Sequence, residues 1–261
     1  MSARSFDIGT LLEFEPPRYL CERCCGLLRA APFDWHTRKA VCPVCQVEYI
    51  PTDEYPYIRV GDYLEQEGLG VAFKDLIGHS RSLASIARQM RTAPASPQLP
   101  NGPSLLSGLF QCLLRAERFV HFVSYGMSEM LLGALRMAAQ RVAVRGIVSN
   151  VEERLATELR DHAADARHLK TRLFERGADA AQWHAMPHQK VIIVDGLLAF
   201  KGSANLTLSG WRKAEAGRDI IEVVTDVQEV VALNNRFFSP VWTEFDSRQQ
   251  IVMTADPFGD D

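Results

Sequence analysis

The stretch HQKVIIVDGLLAFKGSAN, residues 188–205, decides how the rest of this 261-residue chain is interpreted. Its two apolar runs, KVIIVDG and LLAFKGS, predict two successive strands. Side chains two residues apart on a strand project to the same face, so His188 and Lys190 point together at the start of the first strand. Ser203 and Asn205 have the same spacing at the end of the second. Two short polar pairs on neighbouring parts of one sheet can therefore converge on a single anion.

The residue types in these two pairs suit chemistry on a phosphodiester. Imidazole titrates near neutral pH, which makes His188 a candidate nucleophile. Lys190 supplies a fixed positive charge, and Ser203 and Asn205 supply uncharged donors for the developing trigonal bipyramid. A lone histidine before a strand, or a lone Gly-Ser turn, is usually structural. Their joint occurrence at fixed spacing favours a catalytic site.

The same stretch resembles the phospholipase D superfamily, because HxKxxxxD and the trailing GSxN are both present from His188 to Asn205 without a mismatch. Asp195 and Gly202 complete the two motifs. The resemblance extends over the pattern from about residue 104 to about residue 245. It implies metal-independent transfer in which His188 attacks phosphorus and water releases the phosphohistidine, with a second histidine acting as acid and then base. In this interpretation Asp195 is a structural anchor rather than a proton carrier.

The resemblance also implies an acidic residue at the start of a later strand that orients the histidine. Asp219, in GRDIIEVVTD, is the best match, and Glu222 and Glu215 are the alternatives. His184, four residues before the motif, is a candidate for an accessory role. Because the motif occurs once, the second histidine must come from a second subunit, as in single-copy members of the superfamily. We therefore expect a homodimer with one composite site across its twofold axis.

After a proline-rich stretch the sequence alternates between helix and strand patterns. Helical spacing begins at Leu105, and RFVHFVSYG, RVAVRGIVS and LKTRLFE are predicted strands between the helices MSEMLLGALRMAAQ and VEERLATELRDHAADARHL. The strand DIIEVVTD and the helix VQEVVALNNRFFSPVWTEF close the domain. Such alternation predicts the α/β class, with a largely parallel or mixed sheet covered by helices. The resemblance implies a PLD-like mixed sheet flanked by helices, which we expect to be preceded by a small zinc-ribbon module and a helical segment.

Composition divides the chain into five predicted segments. They are a zinc-ribbon segment (1–52), a helical segment (53–93), a Pro-rich linker (94–103), a PLD-like phosphodiesterase domain (104–245) and a C-terminal tail (246–261). The linker contains prolines at positions 94, 97, 100 and 103, so neither a regular helix nor a central strand can run through it.

Five of the six cysteines lie within residues 21–45, where two Cys-x-x-Cys pairs are separated by seventeen residues. This spacing predicts a closed four-thiolate zinc site of structural type, since no ligand position is left for water. The predicted ligands are Cys21, Cys24, Cys42 and Cys45. Disulfides are the alternative, but the chain shows no export signal and the cytosol keeps thiols reduced. Cys25 adjoins Cys24 and is left out of the ligand set, and Cys112 is assigned to the core.

The charge balance does not suggest binding of nucleic acid by charge alone. The formal net charge is −3 and the isoelectric point is near 6.2, so any binding to a polyanion must depend on local clusters of basic side chains. Basic side chains cluster in two segments, for which solvated helix faces are the alternative interpretation: Arg81, Arg88 and Arg91, and then Arg160, Arg167, Lys170, Arg172 and Arg176.

The sequence also bears on location. No stretch approaches the roughly 20 apolar residues that span a bilayer, and the start lacks the pattern of an export signal. We therefore expect a cytoplasmic protein that does not act at a membrane.

The superfamily contains lipid enzymes, phosphatidyltransferases and nucleases, so the motif indicates a reaction type without a substrate. The four-cysteine ribbon and the lack of a membrane anchor favour a nuclease that acts on DNA or RNA and needs no metal for catalysis. Similar single-motif proteins in bacterial anti-phage and restriction systems suggest phage defence, with defence-system partner proteins. The alternatives are a phospholipase or cardiolipin hydrolase, and a nucleic-acid-binding assembly subunit with an idle site.

Overall fold

The fold is that of a computed structural model. It describes residues 17–21, 23–29, 33–34, 39–49, 57–59, 83, 104–150, 154–157, 168–173, 188–247 and 252–253. Outside these residues lie, wholly or for the most part, the predicted helical segment 53–93, the linker 94–103, His184, the predicted helix 151–169 and the tail 246–261.

The cysteine-rich segment folds into short strands. They are β1 (Tyr19–Cys21), β2 (Leu27–Leu28), β3 (Phe33–Asp34), β4 (Lys39–Val41), β5 (Glu48–Tyr49) and β6 (Tyr57–Arg59). Among the described residues they form two antiparallel sheets, with the orders β2-β1-β6 and β3-β4-β5. β6 lies at the start of the predicted helical segment, and it is a strand because it pairs with β1 along its whole length. Strands this short are marginal alone, so the segment depends on other sources of stability.

A mixed sheet with flanking helices makes up the rest of the described chain. Its elements are α1 (Leu105–Leu114), β7 (Phe119–Ser124), α2 (Glu129–Ala139), β8 (Ala143–Val148), β9 (Leu169–Leu173), β10 (Val191–Val194), β11 (Leu198–Gly202), α3 (Leu208–Glu215), β12 (Ile221–Val224), α4 (Val227–Leu233), a π-helical turn (Asn234–Phe238), α5 (Ser239–Ser247) and β13 (Val252–Met253). Over the described strands the order is β12-β11-β10-β7-β8-β9-β13. β7, β8 and β9 are parallel, and the other pairs are antiparallel. The predicted α/β class with a mixed sheet is confirmed.

The central strands are buried because both faces of the sheet are covered. Every residue of β7 and of β8 is buried, as expected for parallel strands between two layers. One face packs against α1 and α2, where Leu109 and Leu132 join the core. Cys112 is fully buried in the same cluster, and burial raises the pKa of its thiol to about 12.

The other face of the sheet carries the cysteine module. Leu20 and Leu27 are fully buried and pack with side chains of β7, β10 and the π-helical turn. Asn235 clamps the backbone of Leu27, accepting its N–H at 2.6 Å and donating to its carbonyl oxygen at 2.8 Å. Asn234 donates to the carbonyl oxygen of Cys25 at 3.0 Å. The module and the sheet therefore share one core, and two consecutive asparagines of the π-helical turn join them.

The segment between the GSxN motif and Asp219 contains a helix that the sequence reasoning treated as a loop. α3 begins after Thr207, whose side chain accepts the N–H of Gly210 at 3.1 Å, and it ends at Glu215, two residues before Gly217, which has a φ of 68°. Glycine adopts this left-handed conformation without strain. The helix has only eight residues. So short an amphipathic pattern gives a weak sequence signal.

Candidate active site

The two polar pairs meet at one edge of the sheet. His188 and Lys190 immediately precede β10, whose first residue, Val191, pairs with Val123 of β7 and with Lys201 of β11. Since both pairings are antiparallel, the start of β10 lies beside the carboxyl ends of β7 and β11. β12 is antiparallel to β11 and starts at the same edge. Sheet register therefore places the HxK segment, the GSxN segment and the start of the acidic strand together.

Lys190 lies against the imidazole of His188. Its Nζ is 3.0 Å from Nδ1 and 3.3 Å from Nε2 of that ring, and it donates to the His188 carbonyl oxygen at 2.6 Å. The His188 side chain is exposed, while Lys190 is half-buried. Burial lowers the pKa of Lys190 from its ordinary value, and the carboxylate of Asp219 acts in the opposite direction. The site thus combines an accessible imidazole with an ammonium group partly withdrawn from water.

Asp219, the acid preferred from the sequence, lies beside Ser203 at this edge of the sheet. The hydroxyl of Ser203 donates to Asp219 Oδ1 and accepts the N–H of Ile220 at 3.1 Å. Asp219 makes no hydrogen bond to His188 within the described chain, and its carboxylate is linked to the site by the Ser203 hydroxyl and by its charge near Lys190. This differs from the direct orienting contact that the resemblance implies.

The two alternative acids are held elsewhere. Glu222 forms an ion pair with Lys201 at 3.2 Å. Glu215 accepts the N–H of Leu106 at 2.9 Å, at the start of α1. Both carboxylates therefore bond to groups other than His188 and Lys190.

The side-chain oxygen of Asn205, Oδ1, is buried and has no hydrogen-bond partner within the described chain. A Cβ on Gly126 would lie 3.8 Å from the Asn205 amide carbon, so the end of β7 comes close to this side chain. Because buried polar atoms are nearly always paired, the Asn205 oxygen is available to a hydrogen-bond donor that the described chain does not supply.

Sequence reasoning missed two residues at the end of β7. The ring of Tyr125 packs on His188 with a centroid distance of 4.8 Å, and Lys190 Nζ lies 5.6 Å from the centre of the Tyr125 ring. Ser124 donates to the Gly126 carbonyl oxygen at 2.6 Å and accepts the N–H of Leu206 at 2.8 Å, which ties β7 to the GSxN loop. The available signal was their place after a predicted parallel strand, since sites form at the carboxyl ends of such strands.

Asp195 lies at the far end of β10 from the site and is fully buried. Its Oδ1 accepts the N–H groups of Arg118 at 2.8 Å and Phe119 at 3.0 Å, and its Oδ2 accepts that of Glu117 at 3.0 Å. These bonds hold the start of β7 against the end of β10. The contacts are those of an anchor between two strands.

We expect Asp195→Asn to lower the free energy of unfolding by about 2–4 kcal/mol, because the amide nitrogen cannot accept a backbone N–H and the charge is lost. Urea unfolding measures this. Asp226→Asn is a matched control, since Asp226 caps α4 by accepting the Glu229 N–H at 2.8 Å and asparagine caps equally well. An Asp195→Asn protein with unchanged stability and a shifted pH–rate profile would instead assign Asp195 to proton transfer.

The four predicted zinc ligands come together. The Sγ atoms of Cys21, Cys24, Cys42 and Cys45 all lie within 4.8 Å of one another. Two of the separations are 3.9 Å and 3.8 Å. A zinc ion with Zn–S bonds of about 2.3 Å in a tetrahedron requires sulfur atoms about 3.8 Å apart. The donor set and its spacing therefore fit a structural zinc ion.

The two Cys-x-x-Cys loops have the same backbone pattern. Cys25 donates its N–H to the Cys21 carbonyl oxygen at 2.8 Å, and Gln46 donates to that of Cys42 at 2.8 Å. Cys25 and Gln46 have left-handed φ values of 54° and 58°. Cys25 therefore fills the turn position that Gln46 fills in the second loop, and its Sγ accepts a hydrogen bond from Arg145 at 2.9 Å. This explains why an adjacent cysteine can be present without being a ligand.

The family of this chain is shown by a match between a family model and the part of the chain that forms the main sheet. The family model described as cardiolipin synthase, PLD-like domain, matches residues 109–242, just over half of the chain. This chain belongs to the phospholipase D-like family. Members of the phospholipase D superfamily are phosphodiesterases, among them nucleases and lipid-modifying enzymes. No curated protein matches this PLD-like chain in sequence.

Solved structures that resemble this PLD-like protein include Nuc, a phospholipase D family member from Salmonella typhimurium, at 19% identity over 60% of this chain and 93% of that one, with a TM-score of 0.42. NucT from Helicobacter pylori has 15% identity over 64% and 93%, with a TM-score of 0.40. A phosphatidylserine synthase from Haemophilus influenzae Rd KW20 has 12% identity over 60% and 38%, with a TM-score of 0.37. With TM-scores below 0.5, these likenesses carry no argument about function.

None of the helices in the described residues is long and apolar enough to cross a membrane.

Proposed function

We propose that this PLD-like protein is a metal-independent phosphodiesterase that cleaves nucleic acid through a phosphohistidine on His188. The observation that carries the proposal is the meeting of His188, Lys190, Asn205 and the Ser203–Asp219 pair at one sheet edge. An accessible imidazole supplies the nucleophile, and the neighbouring groups suit an anion. The family supports phosphodiester chemistry.

The mechanism follows from the positions of these groups. A ring nitrogen of His188 attacks phosphorus, and the bond from phosphorus to the leaving oxygen breaks. Lys190 and the amide of Asn205 stabilise the nonbridging oxygens, while Asp219 balances the charge of Lys190. A second histidine protonates the leaving oxygen and then takes a proton from water. That water attacks phosphorus, and the bond to His188 breaks.

The second histidine comes from a partner subunit. Of the other described histidines, His121 is fully enclosed, and burial, followed by Arg145, lowers its pKa to about 3 against the raising effect of its hydrogen bond to Asn234. It stays neutral and out of reach. His168 is buried just before β9, at the opposite edge of the sheet from the site. Two copies of His188 across a twofold axis would complete the acid–base pair.

We therefore expect a solution mass of twice the 29.2 kDa chain. Sedimentation equilibrium, run at the concentration of the activity assay, measures it. A monomer that retains full activity would contradict the composite site.

Zinc has a structural part in this proposal. Cys21, Cys24, Cys42 and Cys45 would hold it, and its charge would stabilise four neighbouring thiolates. When no zinc is bound, hydrogen bonds from Cys24 and then Cys42, together with burial, raise the pKa of the Cys21 thiol far above its ordinary value. The His188 site lies at a sheet edge and uses none of these cysteines.

A lipid phosphodiester is the second candidate substrate. The matching family model is described as cardiolipin synthase, and Ile220, next to Asp219, is 63% exposed at the rim of the site. An apolar rim would suit an acyl chain. The third alternative is an assembly subunit with an idle site. A setting in phage defence remains a prediction from the resemblance.

A substrate panel tests these proposals. We expect wild-type protein in EDTA to cleave labelled single-stranded DNA, duplex DNA or RNA during a short incubation, because no catalytic step requires an added metal ion. Vesicles containing cardiolipin or phosphatidylglycerol are the lipid arm. Cleavage of lipid alone would establish the second candidate, and binding of DNA without any cleavage would favour the idle subunit. Strict dependence on added Mg²⁺ would contradict the mechanism.

A further inference from the structure

We propose that Arg212, Lys213 and Arg218 form a surface that binds the phosphates flanking the scissile one in a nucleic-acid strand. We call these three residues the α3 basic surface. The inference rests on the proposed function and deepens it, since it names what holds the strand on either side of the reacting group.

The topology places the α3 basic surface at the catalytic edge. β11 ends and β12 begins at that edge, and α3 is the connection between them. Thr207, which caps α3, donates its N–H to the Asn205 carbonyl oxygen at 2.7 Å. Arg218 directly precedes Asp219. Both ends of the helix are therefore attached to residues of the phosphate site.

The cations of this surface face solvent. α3 buries Gly210, Trp211 and Ala214 against the body of the protein. Arg212 and Lys213 lie on the exposed side of the helix, and Arg218 is also exposed. A helix of this length keeps all its residues close to the site, because each residue advances the chain by about 1.5 Å.

The carboxyl terminus of α3 holds the backbones of Lys213 and Arg218 close together. Arg218 donates its N–H to the Lys213 carbonyl oxygen at 2.8 Å, and Gly217 donates to that of Ala214 at 3.0 Å. With the left-handed Gly217 these bonds form a Schellman motif. The backbones of Lys213 and Arg218 are thus neighbours in a defined turn rather than two positions on a free loop.

The acids nearest to these cations bond to other groups. Glu215 is held by the Leu106 N–H, and Asp219 accepts the Ser203 hydroxyl. None of the three cations forms an ion pair within the described residues. Of the basic clusters noted in the sequence, only Lys170 and Arg172 on β9 are described, and four strands separate β9 from β12. The α3 basic surface therefore lies at the same sheet edge as His188, whereas the described members of those clusters lie on a distant strand.

The arrangement fits a polynucleotide better than a membrane. A strand presents a negative charge roughly every 3.4 Å, so phosphates next to the scissile one fall within reach of α3. The exposed large apolar side chains of the described chain are Leu114, Met130, Met137 and Ile220. None of them lies on α3, and of the four only Ile220, two residues after Arg218, is near it, so this surface offers an anion three charges but offers lipid a single apolar side chain.

A charge-neutralising variant tests the surface. We compare Arg212→Gln/Lys213→Gln/Arg218→Gln with a matched control, Arg115→Gln/Arg136→Gln/Arg141→Gln. The control residues lie near the ends of α1 and α2, where β7 and β8 begin, so they lie at the opposite edge of the sheet. Both variants remove three positive charges. Thermal unfolding checks that both are folded.

The first readout is binding of a labelled 20-nucleotide single strand in EDTA, with each variant also carrying His188→Ala. We expect the α3 variant to bind at least about tenfold more weakly, with the slope of log K against log salt concentration reduced by about 2. The control should match its His188→Ala parent. Unchanged binding and salt slope in the α3 variant would overturn the proposal. A loss confined to anionic phosphatidylglycerol vesicles would overturn it in favour of a membrane surface.

The second readout uses proteins with His188 intact. We expect the α3 variant to lose kcat/KM on the oligonucleotide through KM, but to keep the wild-type rate on bis(4-nitrophenyl) phosphate, which has no flanking phosphates. Equal losses on both substrates would mean that the reacting centre is damaged, and would overturn the proposal. If wild type cleaves neither substrate, the proposed function fails, but the binding measurement still tests whether the α3 basic surface binds the strand.

Discussion

Replacement of His188 by alanine is expected to lower the rate of phosphodiester cleavage by about 10⁴-fold or more, since the variant has no nucleophile to form the covalent intermediate. The neighbouring groups cannot take its place. Lys190 remains a cation beside the carboxylate of Asp219, and the Ser203 hydroxyl donates to that same carboxylate. Substrate binding should persist, so the loss should appear in kcat rather than in KM.

Glu222→Gln is the matched control for this experiment. It changes an acid three residues from Asp219, but one that pairs with Lys201 outside the site, so activity should stay within about twofold. Rapid acid-free quenching with ³²P-labelled substrate should trap label on the wild-type protein and not on His188→Ala. Labelled protein in His188→Ala, or full activity of that variant, would remove His188 from the nucleophilic role.

Loss of one zinc ligand is expected to have the largest effect on stability. Cys45→Ser should reduce the metal content from about one zinc per chain to near zero and lower the midpoint of thermal unfolding by about 10 °C or more. Cys45 is the least buried of the four cysteines, so its replacement disturbs the packing least. The effect should reach beyond the module, because Leu20 and Leu27 belong to the core that covers one face of the sheet.

Cys112→Ala is the matched control for the ligand variant. Cys112 is fully buried but lies in the other core cluster, so the control should keep its zinc and lose only about 1–2 kcal/mol of stability. Elemental analysis and calorimetry measure both quantities. If wild-type protein contains no metal and mass spectrometry shows that its thiols are oxidised, the cysteines form disulfides rather than a zinc site.

Some structural features of this protein can be predicted from short-range sequence patterns. Six of the seven described strands of the sheet could be predicted because their apolar runs are local and bounded by turn residues, whereas the two-residue β13 lies in the predicted C-terminal tail. The pairing of two Cys-x-x-Cys loops could be predicted because a structural zinc site takes four ligands and each loop supplies two thiolates. The eight-residue α3 was missed because its amphipathic pattern is too short to distinguish from a loop.

Other features depend on contacts between distant parts of the chain. Asp219 and Glu222 are three residues apart, and sequence alone left both open. In the sheet Glu222 is opposite Lys201, with which it also forms an ion pair, whereas Asp219 precedes the strand and turns to Ser203. Likewise, Tyr125 reaches His188 only because β7 and β10 are adjacent and antiparallel.

Spacing along the chain is enough to predict the α/β class, the grouping of His188, Lys190, Ser203 and Asn205 in one motif, and the set of four thiolates. The packing of the cysteine module on the sheet through the π-helical turn, and the position of α3 at the edge that holds His188, are visible only in the folded chain. These depend on strand register and on burial shared between segments far apart in sequence, which no local pattern encodes.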